Sequence, residues 1–306
     1  MHLRSILSKR NFMALAVLAL LGLVGFWVIT IPKPLSEADL PQHVEDLANG
    51  ERMYNAGGCH SCHVHGPELA GVDAALPAGG TALKTPVGVL YPPNLTPDPE
   101  TGLGLWTDVQ FINAMQKGIS HRGEHLIPAF PYTSYAHMRV EDVLDIKAYL
   151  ATLAPVKNAA KAHEVFALPI VRRGLGLWKI VGFDETKWLA DPAQTAGWNR
   201  GSYLVNGPGH CNECHTPRNL FMASDTSKFL AGGPHPEGKG KVPSLRGLVE
   251  RARYKDAKDL MSAFQFGEAM GYDKMSSGGM GRVQANLAKL PETDVLAIAE
   301  YLTSLK

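Results

Sequence analysis

The sequence predicts an all-α protein, in which two tandem, homologous helical domains follow one N-terminal transmembrane helix. Three observations predict this architecture. A run of 20 residues, from Phe12 to Ile31, carries no charge. The pattern Cys-x-x-Cys-His occurs twice, beginning at Cys59 and Cys211, which are 211 − 59 = 152 residues apart. A segment with the apolar spacing of an amphipathic helix recurs at the same offset, at 138–153 and at 290–305.

The uncharged run has the length of a membrane span. As a helix it extends about 30 Å, which matches the hydrocarbon thickness of a bilayer. Arg4, Lys9 and Arg10 precede the run, and mostly acidic residues follow it. The positive-inside rule therefore puts the N-terminus in the cytoplasm and everything after residue 31 outside. We expect a single-pass protein of a bacterial inner membrane with its soluble domains in the periplasm.

A cleaved signal peptide is the alternative interpretation of the N-terminus. A signal peptide has a shorter apolar core and a small-x-small cleavage site close behind it. Ser36-Glu-Ala38 fits that pattern, but it lies several residues beyond the run. The length of the run favours a retained anchor over residues 1–35.

Composition excludes several classes of protein. The chain has 306 residues, 45% of them hydrophobic, with 30 basic and 29 acidic side chains. A disordered chain, a coiled coil and a bulk-charge nucleic-acid binder are all incompatible with these values. The near-zero total hides an asymmetry, since residues 36–153 carry 6 basic and 14 acidic side chains (net −8) and residues 200–306 carry 14 and 11 (net +3).

The internal repeat defines the domain boundaries. Of the 16 residues at 138–153, 7 are identical to their counterparts at 290–305. We expect a first domain at 36–153 and a second at 200–306, each starting with a helix that leads into the cysteines and ending with an amphipathic helix. Residues 154–199 are the connector, in which 169–180 is expected to form a short packed helix or turn.

Both cysteine patterns have the spacing of covalent haem attachment. We call residues 59–63 the first cysteine string and residues 211–215 the second. Two thiols three residues apart can each form a thioether to one haem, and the adjacent histidine then ligates the iron. The predicted residues are Cys59, Cys62 and His63 for haem 1, and Cys211, Cys214 and His215 for haem 2. A shared four-cysteine zinc site leaves both histidines unexplained, and a thioredoxin-like redox pair expects a βαβ context that is missing.

Longer motifs resemble a known family. The helix before each string and the closing helix look like class I cytochrome c domains. Residues 85–106, 125–132 and 278–284 are similar to the cytochrome c subunits of membrane-bound alcohol, aldehyde and gluconate dehydrogenases. Those subunits usually carry three haems, so a chain with two strings looks more like the related two-haem, membrane-anchored cytochromes. The resemblance implies two covalent haem c groups, a dehydrogenase as electron donor, and a soluble cytochrome or terminal oxidase as acceptor.

The sixth iron ligand of haem 2 is expected to be methionine, since methionine raises the potential of an electron-transfer haem. Met280, Met275 and Met270 precede the last helix. Met280 best matches the position of the ligand in the family.

Haem 1 departs from the family pattern. The family has methionine in Pro-Ala-Met-Pro-Tyr, where this chain has Phe130, which cannot ligate iron. Met138 and His125 are the leading candidates, and an open site is the third possibility. Met138 could instead pack the closing helix, and His125 has a matching histidine even in relatives that keep the methionine. Weaker candidates are Met115, His121 and His137.

The favoured function is electron relay from a dehydrogenase or quinol-linked donor to a downstream cytochrome or terminal oxidase. The alternative is a diheme oxidoreductase, of peroxidase or thiosulfate-oxidising type, with catalysis at haem 1. The missing methionine at Phe130 motivates that alternative, but the sequence has no catalytic constellation to support it. The remaining histidines beside the strings, His60, His65 and His210, are expected at the surface.

Overall fold

The computed structural model describes residues 9–85, 87–166, 168–235, 240–267 and 279–306. The described chain is mostly helical and has two short antiparallel hairpins, β1–β2 and β3–β4. The predicted all-α class is therefore confirmed. In chain order the elements are α1 (Lys9–Ile29), α2 (Leu47–Ala56), α3 (Cys59–His63), β1 (Leu83–Thr85), β2 (Gly88–Leu90), α4 (Asp108–Lys117), α5 (Tyr132–Tyr135), α6 (Val140–Ala151), α7 (Leu168–Gly182), α8 (Ala196–Asn206), α9 (Asn212–His215), β3 (Gly233–Pro234), β4 (Lys241–Val242), α10 (Ala257–Phe266), α11 (Gly279–Leu287) and α12 (Glu292–Ser304).

Helix α1 contains the predicted apolar run. Its segment Asn11–Ile29 has a mean hydropathy of 2.6 over 19 residues, and none of it is buried inside the protein. A helix of this length and composition is compatible with a membrane anchor.

Two helix crossings organise the rest of the chain. Helix α2 packs on α6, and α8 packs on α12, as the repeat predicts. Each crossing has a glycine at the point of closest approach. A Cβ at Gly50 would lie 2.0 Å from the carbonyl oxygen of Asp145, and a Cβ at Gly201 would lie 1.9 Å from that of Ala297. Only glycine lets the backbones approach this closely, so the two crossings have the same physical origin.

The other elements also recur in the same order. We call α2 to α6 the first half and α8 to α12 the second half. Helix α6 begins at 140 and α12 at 292, an offset of 152. Helices α3 and α9 hold the cysteine strings, and α5 and α11 precede the closing helices. The division into two homologous domains stays a prediction that this recurrence supports.

One buried hydrophobic cluster includes residues from both halves, among them Val143, Leu150, Leu204 and Leu302. A polar contact also joins the two halves, since the backbone N–H of Arg139 in the first half donates to the Tyr203 hydroxyl in the second at 3.1 Å. The two halves are therefore packed directly against each other.

Candidate haem sites

Each cysteine string forms a single helical turn. Helix α3 begins at Cys59 after Gly58, which has a φ of +56°, and the second string begins after His210, which has a φ of +40°. Positions 58 and 210 are 152 residues apart. The same left-handed turn thus introduces both strings, and on one helical turn the two cysteines and the histidine of each string are close neighbours.

Both string histidines are buried and held by backbone carbonyls. His63 Nδ1–H donates to the carbonyl oxygen of Pro93 at 2.8 Å, and His215 Nδ1–H donates to that of Pro243 at 2.7 Å. This bond fixes the tautomer and leaves the Nε2 lone pair for a metal. Burial lowers the pKa of His63 to about 4 and also lowers the pKa of His215, so both rings are neutral, the form that ligates iron.

The cysteines match the same use. Cys59 and Cys211 are half-buried, Cys62 and Cys214 are exposed, and no disulfide joins the four, all of which the structure describes. Burial raises the pKa of Cys59 and of Cys211 to about 12, so neither is a reactive thiolate. Within the described residues no group of three or more His, Cys, Asp or Glu is arranged to hold a metal ion. The strings therefore do not converge on a four-cysteine site, and their donor chemistry fits one covalently attached haem each.

The two strings are held by reciprocal contacts between the halves. Ser134 Oγ on α5 donates to Glu213 Oε1 in the second string at 3.0 Å. Asn286 Nδ2 on α11 donates to Ser61 Oγ in the first string at 2.7 Å. Adding 152 to 134 gives 286, and adding 152 to 61 gives 213, so the two contacts are equivalent. This reciprocity is the signature of an isologous, nearly two-fold interface.

His210 links the two strings directly. Its Nε2–H donates to the carbonyl oxygen of Gly57 at 3.1 Å, while His210 precedes Cys211 and Gly57 lies two residues before Cys59. The expectation that His210 is a surface histidine is wrong, since it is half-buried at the interface between the halves and burial lowers its pKa. The signal available in the sequence was its position in the repeat. Residue 210 corresponds to Gly58, which directly precedes the first cysteine string.

An aromatic row continues from this bond into the first half. The Tyr135 ring meets the His210 ring edge-on with centroids 5.8 Å apart, and it meets the Phe130 ring at 5.5 Å. Phe130 stands where the family motif has methionine. The row therefore connects that position to the residue immediately before Cys211.

The sixth-ligand candidates of haem 2 are only partly described. Met280 opens α11, is half-buried and packs against the core cluster. Met275 and Met270 lie outside the described residues. The choice of Met280 stays a prediction.

The candidates for haem 1 already have contacts within the protein. Met138 is fully buried, and its Cγ lies 3.2 Å from the position of a Cβ at Gly207 in the second half. His125 Nε2–H donates to the carbonyl oxygen of Thr30 at 3.0 Å, and its buried Nδ1 has no hydrogen-bond partner. If His125 ligates iron, its Nδ1 is the atom available for it. Neither prediction is tested by these contacts.

The weaker candidates are placed as follows. The His121 ring packs at a tilt against the Trp106 ring, with centroids 4.8 Å apart, and His137 Nδ1–H donates to the Thr186 carbonyl oxygen at 2.5 Å. Met115 is buried in α4. Like Met138, these residues have structural contacts of their own.

Comparison with known proteins identifies the family. Residues 47–154 match the family model for cytochrome c. A diheme c-type cytochrome of Cereibacter sphaeroides is 38% identical over 289 residues, which cover 94% of this chain and 95% of that protein. The chain belongs to the cytochrome c family. This cytochrome carries covalently bound haem c, and its diheme relative accounts for two such groups.

Two further relatives are subunits of dehydrogenases. The cytochrome is 32% identical to the cytochrome subunit of a fructose dehydrogenase from Gluconobacter japonicus, over 89% of this chain and 55% of that subunit. It is 34% identical to the cytochrome c subunit of a quinone-dependent alcohol dehydrogenase from Gluconacetobacter polyoxogenes, over 85% and 56%. The chain thus spans about half the length of these two relatives, and electron transfer is the function that the comparisons support.

Proposed function

We propose that this cytochrome is anchored in a bacterial inner membrane and relays electrons in the periplasm. The donor is a membrane dehydrogenase that oxidises an alcohol, a sugar or a sugar acid, the substrate classes named in several of its relatives. The acceptor is a soluble cytochrome or a terminal oxidase. Helix α1 supplies the anchor, and the basic residues before it support an outward orientation of the rest of the chain.

The proposed attachment residues are those of the two strings. Cys59 and Cys62 form the thioethers of haem 1, and His63 is its proximal ligand. The equivalent residues for haem 2 are Cys211, Cys214 and His215, and Met280 is its sixth ligand. Each haem supplies a one-electron redox couple whose potential the ligands and burial set.

The contact between the strings is the observation that carries the relay. From Cys59 the backbone passes through Gly58 to the carbonyl of Gly57, which accepts the hydrogen bond from His210, the neighbour of Cys211. One hydrogen bond, the backbone of residues 57–59 and the His210 side chain with its link to Cys211 therefore join the two attachment points. Two haem sites coupled this closely are suited to passing electrons from one to the other.

The charges of the halves support different partners at the two ends of the relay. The segment at 36–153 is acidic and the segment at 200–306 is basic, with net charges of −8 and +3. An acidic surface attracts basic partners and a basic surface attracts acidic partners, and this attraction accelerates their encounter. We therefore propose that donor and acceptor dock on different halves.

Deletion of the gene tests the relay. Membranes of the deletion strain are supplied with alcohols, aldehydes, sugars and sugar acids, and oxygen uptake is recorded alongside dehydrogenase activity with an artificial dye. We expect one substrate to lose its oxygen uptake and keep its dye reduction, because the dehydrogenase stays active without its electron exit. The wild-type gene restores uptake and a Cys59→Ala/Cys62→Ala variant does not. Unchanged oxygen uptake with every substrate would contradict the proposal.

Phe130 is the observation that favours a second function, oxidoreductase chemistry at haem 1. The absorption spectrum of the reduced protein with and without carbon monoxide separates the two functions. A relay is expected to have two six-coordinate haems that do not bind carbon monoxide. Binding at one haem, lost in a protein that lacks Cys59 and Cys62, would instead favour catalysis at haem 1. In the oxidised form of a protein that lacks Cys211 and Cys214, and therefore haem 2, the near-infrared band of iron–methionine ligation is expected if Met138 ligates haem 1 and is not expected if His125 does.

A further inference from the structure

Helix α7 in the connector has its apolar face turned outward. Ile170, Leu177 and Val181 lie on one face, at spacings of seven and four residues, and are 73%, 43% and 59% exposed. A helix on the surface of a water-soluble domain buries such a stripe against the core. Contiguous exposed apolar surface marks an interaction site with an apolar partner.

The charged residues of α7 face the protein instead. Arg172 forms an ion pair with Glu124, and Lys179 Nζ donates to the carbonyl oxygens of Lys117 and Gly118, at 2.5 and 3.0 Å. The helix therefore directs these cationic groups toward the protein and presents the apolar stripe outward. This polarity is the reverse of that expected for a helix that meets water.

Helix α7 lies against the last turn of α1. The Arg173 guanidinium stacks on the Trp27 ring, 4.0 Å from its centroid, and donates to the Trp27 carbonyl oxygen. Gly176 packs on Thr30, whose Cβ would lie 2.7 Å from a Cβ at position 176. Because tryptophan and arginine near the end of a spanning helix are typical of the membrane–water interface, α7 sits at that depth.

A loop of the second half extends the same apolar surface. Trp178 Nε1–H on α7 donates to the carbonyl oxygen of Phe221 at 2.8 Å. Leu220, Phe221 and Met222 are 99%, 64% and 60% exposed. Exposed apolar side chains of this loop therefore lie next to α7, the helix that contacts the end of α1.

We propose that α7 lies on the outer surface of the bilayer, with Ile170, Leu177 and Val181 in the boundary between headgroups and acyl chains. This inference rests on the proposed membrane anchor. The lipid surface is the occupant because the apolar stripe is continuous with the end of the helix that crosses that bilayer. Such a helix holds the two halves in a fixed orientation to the membrane, where a tether at α1 alone leaves them free to turn.

Spin-label accessibility tests this inference on the full-length protein with its haems attached. Nitroxide labels are placed on Leu177→Cys and Val181→Cys, with Glu250→Cys as a control at an exposed, charged position in the second half. The protein is reconstituted in vesicles of phosphatidylcholine and phosphatidylglycerol, and collisions with oxygen and with a water-soluble nickel complex are compared. We expect oxygen to dominate at 177 and 181, and the nickel complex to dominate at 250.

Three other results are informative. Domination by the nickel complex at 177 and 181 would overturn the inference and leave the stripe for a protein partner. Low collision rates with both reagents would also overturn it, since a second copy of the chain would then cover α7. A label on Leu18→Cys in α1 separates failure of the inference from failure of the anchor: oxygen dominates there if α1 spans the bilayer, whatever happens at α7.

Discussion

The two cysteine strings occupy equivalent places in the repeat and differ at the residues that face each other. Both are introduced by a left-handed residue, both histidines are held by a carbonyl, and both are contacted by the short helix of the opposite half. Yet Gly58 is matched by His210, and Ser61 is matched by Glu213.

These two pairs of residues show where the two halves depart from the backbone arrangement that they share. A non-glycine residue in the left-handed region costs about 1–2 kcal/mol, and such strain persists where the surroundings enforce it. His210 adopts this strained backbone and forms the hydrogen bond to Gly57 across the interface. Its counterpart Gly58 has no side chain, so no equivalent hydrogen bond runs in the opposite direction. The fold is therefore nearly two-fold symmetric, and the link between the strings is one-sided.

Removal of the two cysteines of one string has the largest expected effect, which is the loss of one bound haem. A Cys59→Ala/Cys62→Ala protein and a Cys211→Ala/Cys214→Ala protein should each retain one covalent haem of two, because a string without cysteines has no thiol to form a thioether. Mass spectrometry and the pyridine haemochrome assay count the haems. If the strings act independently, the remaining haem keeps its potential. A variant that loses both haems would show that one half cannot fold without the other, and a variant that keeps two would contradict the assignment.

The helix crossings of both halves should be equally sensitive to replacement of their central glycine. Gly50→Ala and Gly201→Ala each put a methyl group about 2 Å from a backbone oxygen, so the helices must separate. We expect each to lower the free energy of unfolding by about 3 kcal/mol, the upper end of the usual cost of over-packing. Denaturant unfolding measures it, with Gly174→Ala in α7, where an added Cβ meets no atom within 4 Å, testing the cost of an added methyl without a clash. A small effect at one crossing only would break the equivalence of the halves.

Acid should weaken the first crossing more than the second. Burial opposes ionisation of Asp145, but hydrogen bonds from the Asp46 N–H, His43 and Asn49 outweigh it and hold the pKa of Asp145 below its ordinary value. The counterpart in the second half is Ala297, which cannot titrate. A depressed pKa gives stability that is present above the unfolded pKa of about 4 and is lost as the pH falls below it.

The Asp145→Asn variant measures this contribution. Its free energy of unfolding at pH 7 should be lower than that of the wild type by about 1–3 kcal/mol, the cost of losing hydrogen bonds to a charged group. The difference should shrink as the pH falls below about 4 and approaches the depressed pKa of Asp145, where the wild-type carboxylate becomes protonated. A difference that does not change with pH would show that the charge of Asp145 has no role.

The two reciprocal hydrogen bonds at the interface should differ modestly in their contribution to the free energy of unfolding. Ser134→Ala removes a hydrogen bond to the buried, charged Glu213, and Asn286→Ala removes one to the neutral Ser61. We expect losses of about 2 and about 1 kcal/mol in unfolding free energy, because bonds to charged groups are stronger. Equal losses would mean that Thr133 and Arg218, which also contact Glu213, already satisfy that carboxylate.

Much of this organisation could be predicted from the sequence. The strings, the apolar run and the closing helices are local patterns, and their shared offset of 152 residues predicted the repeat of elements. The contacts between the halves could not be predicted, because no local pattern pairs Ser134 with Glu213. His210 was expected at the surface because a lone histidine is polar and gives no sign of its partner. The outward apolar face of α7 was also missed, since periodicity alone does not tell which side of a helix meets the protein.

Electron transfer between the haems tests the central claim most directly. The wild-type protein, His210→Gly, His210→Asn and the control His65→Gln are compared. Glycine matches the counterpart Gly58, and asparagine tolerates the left-handed backbone but is too short to place its amide where Nε2 lies. His65 also lies beside a string, but its bonds go to Gly66 and Asp73 in its own half.

After flash reduction by a flavin semiquinone, the phase that is independent of donor concentration reports transfer between the two haems. We expect this phase to be several-fold slower in both His210 variants and unchanged in His65→Gln, with two haems per chain and the same midpoint potentials throughout. An unchanged rate in His210→Gly and His210→Asn would contradict the proposed link while leaving the relay itself intact. A wild-type protein without this phase would contradict the relay through both haems.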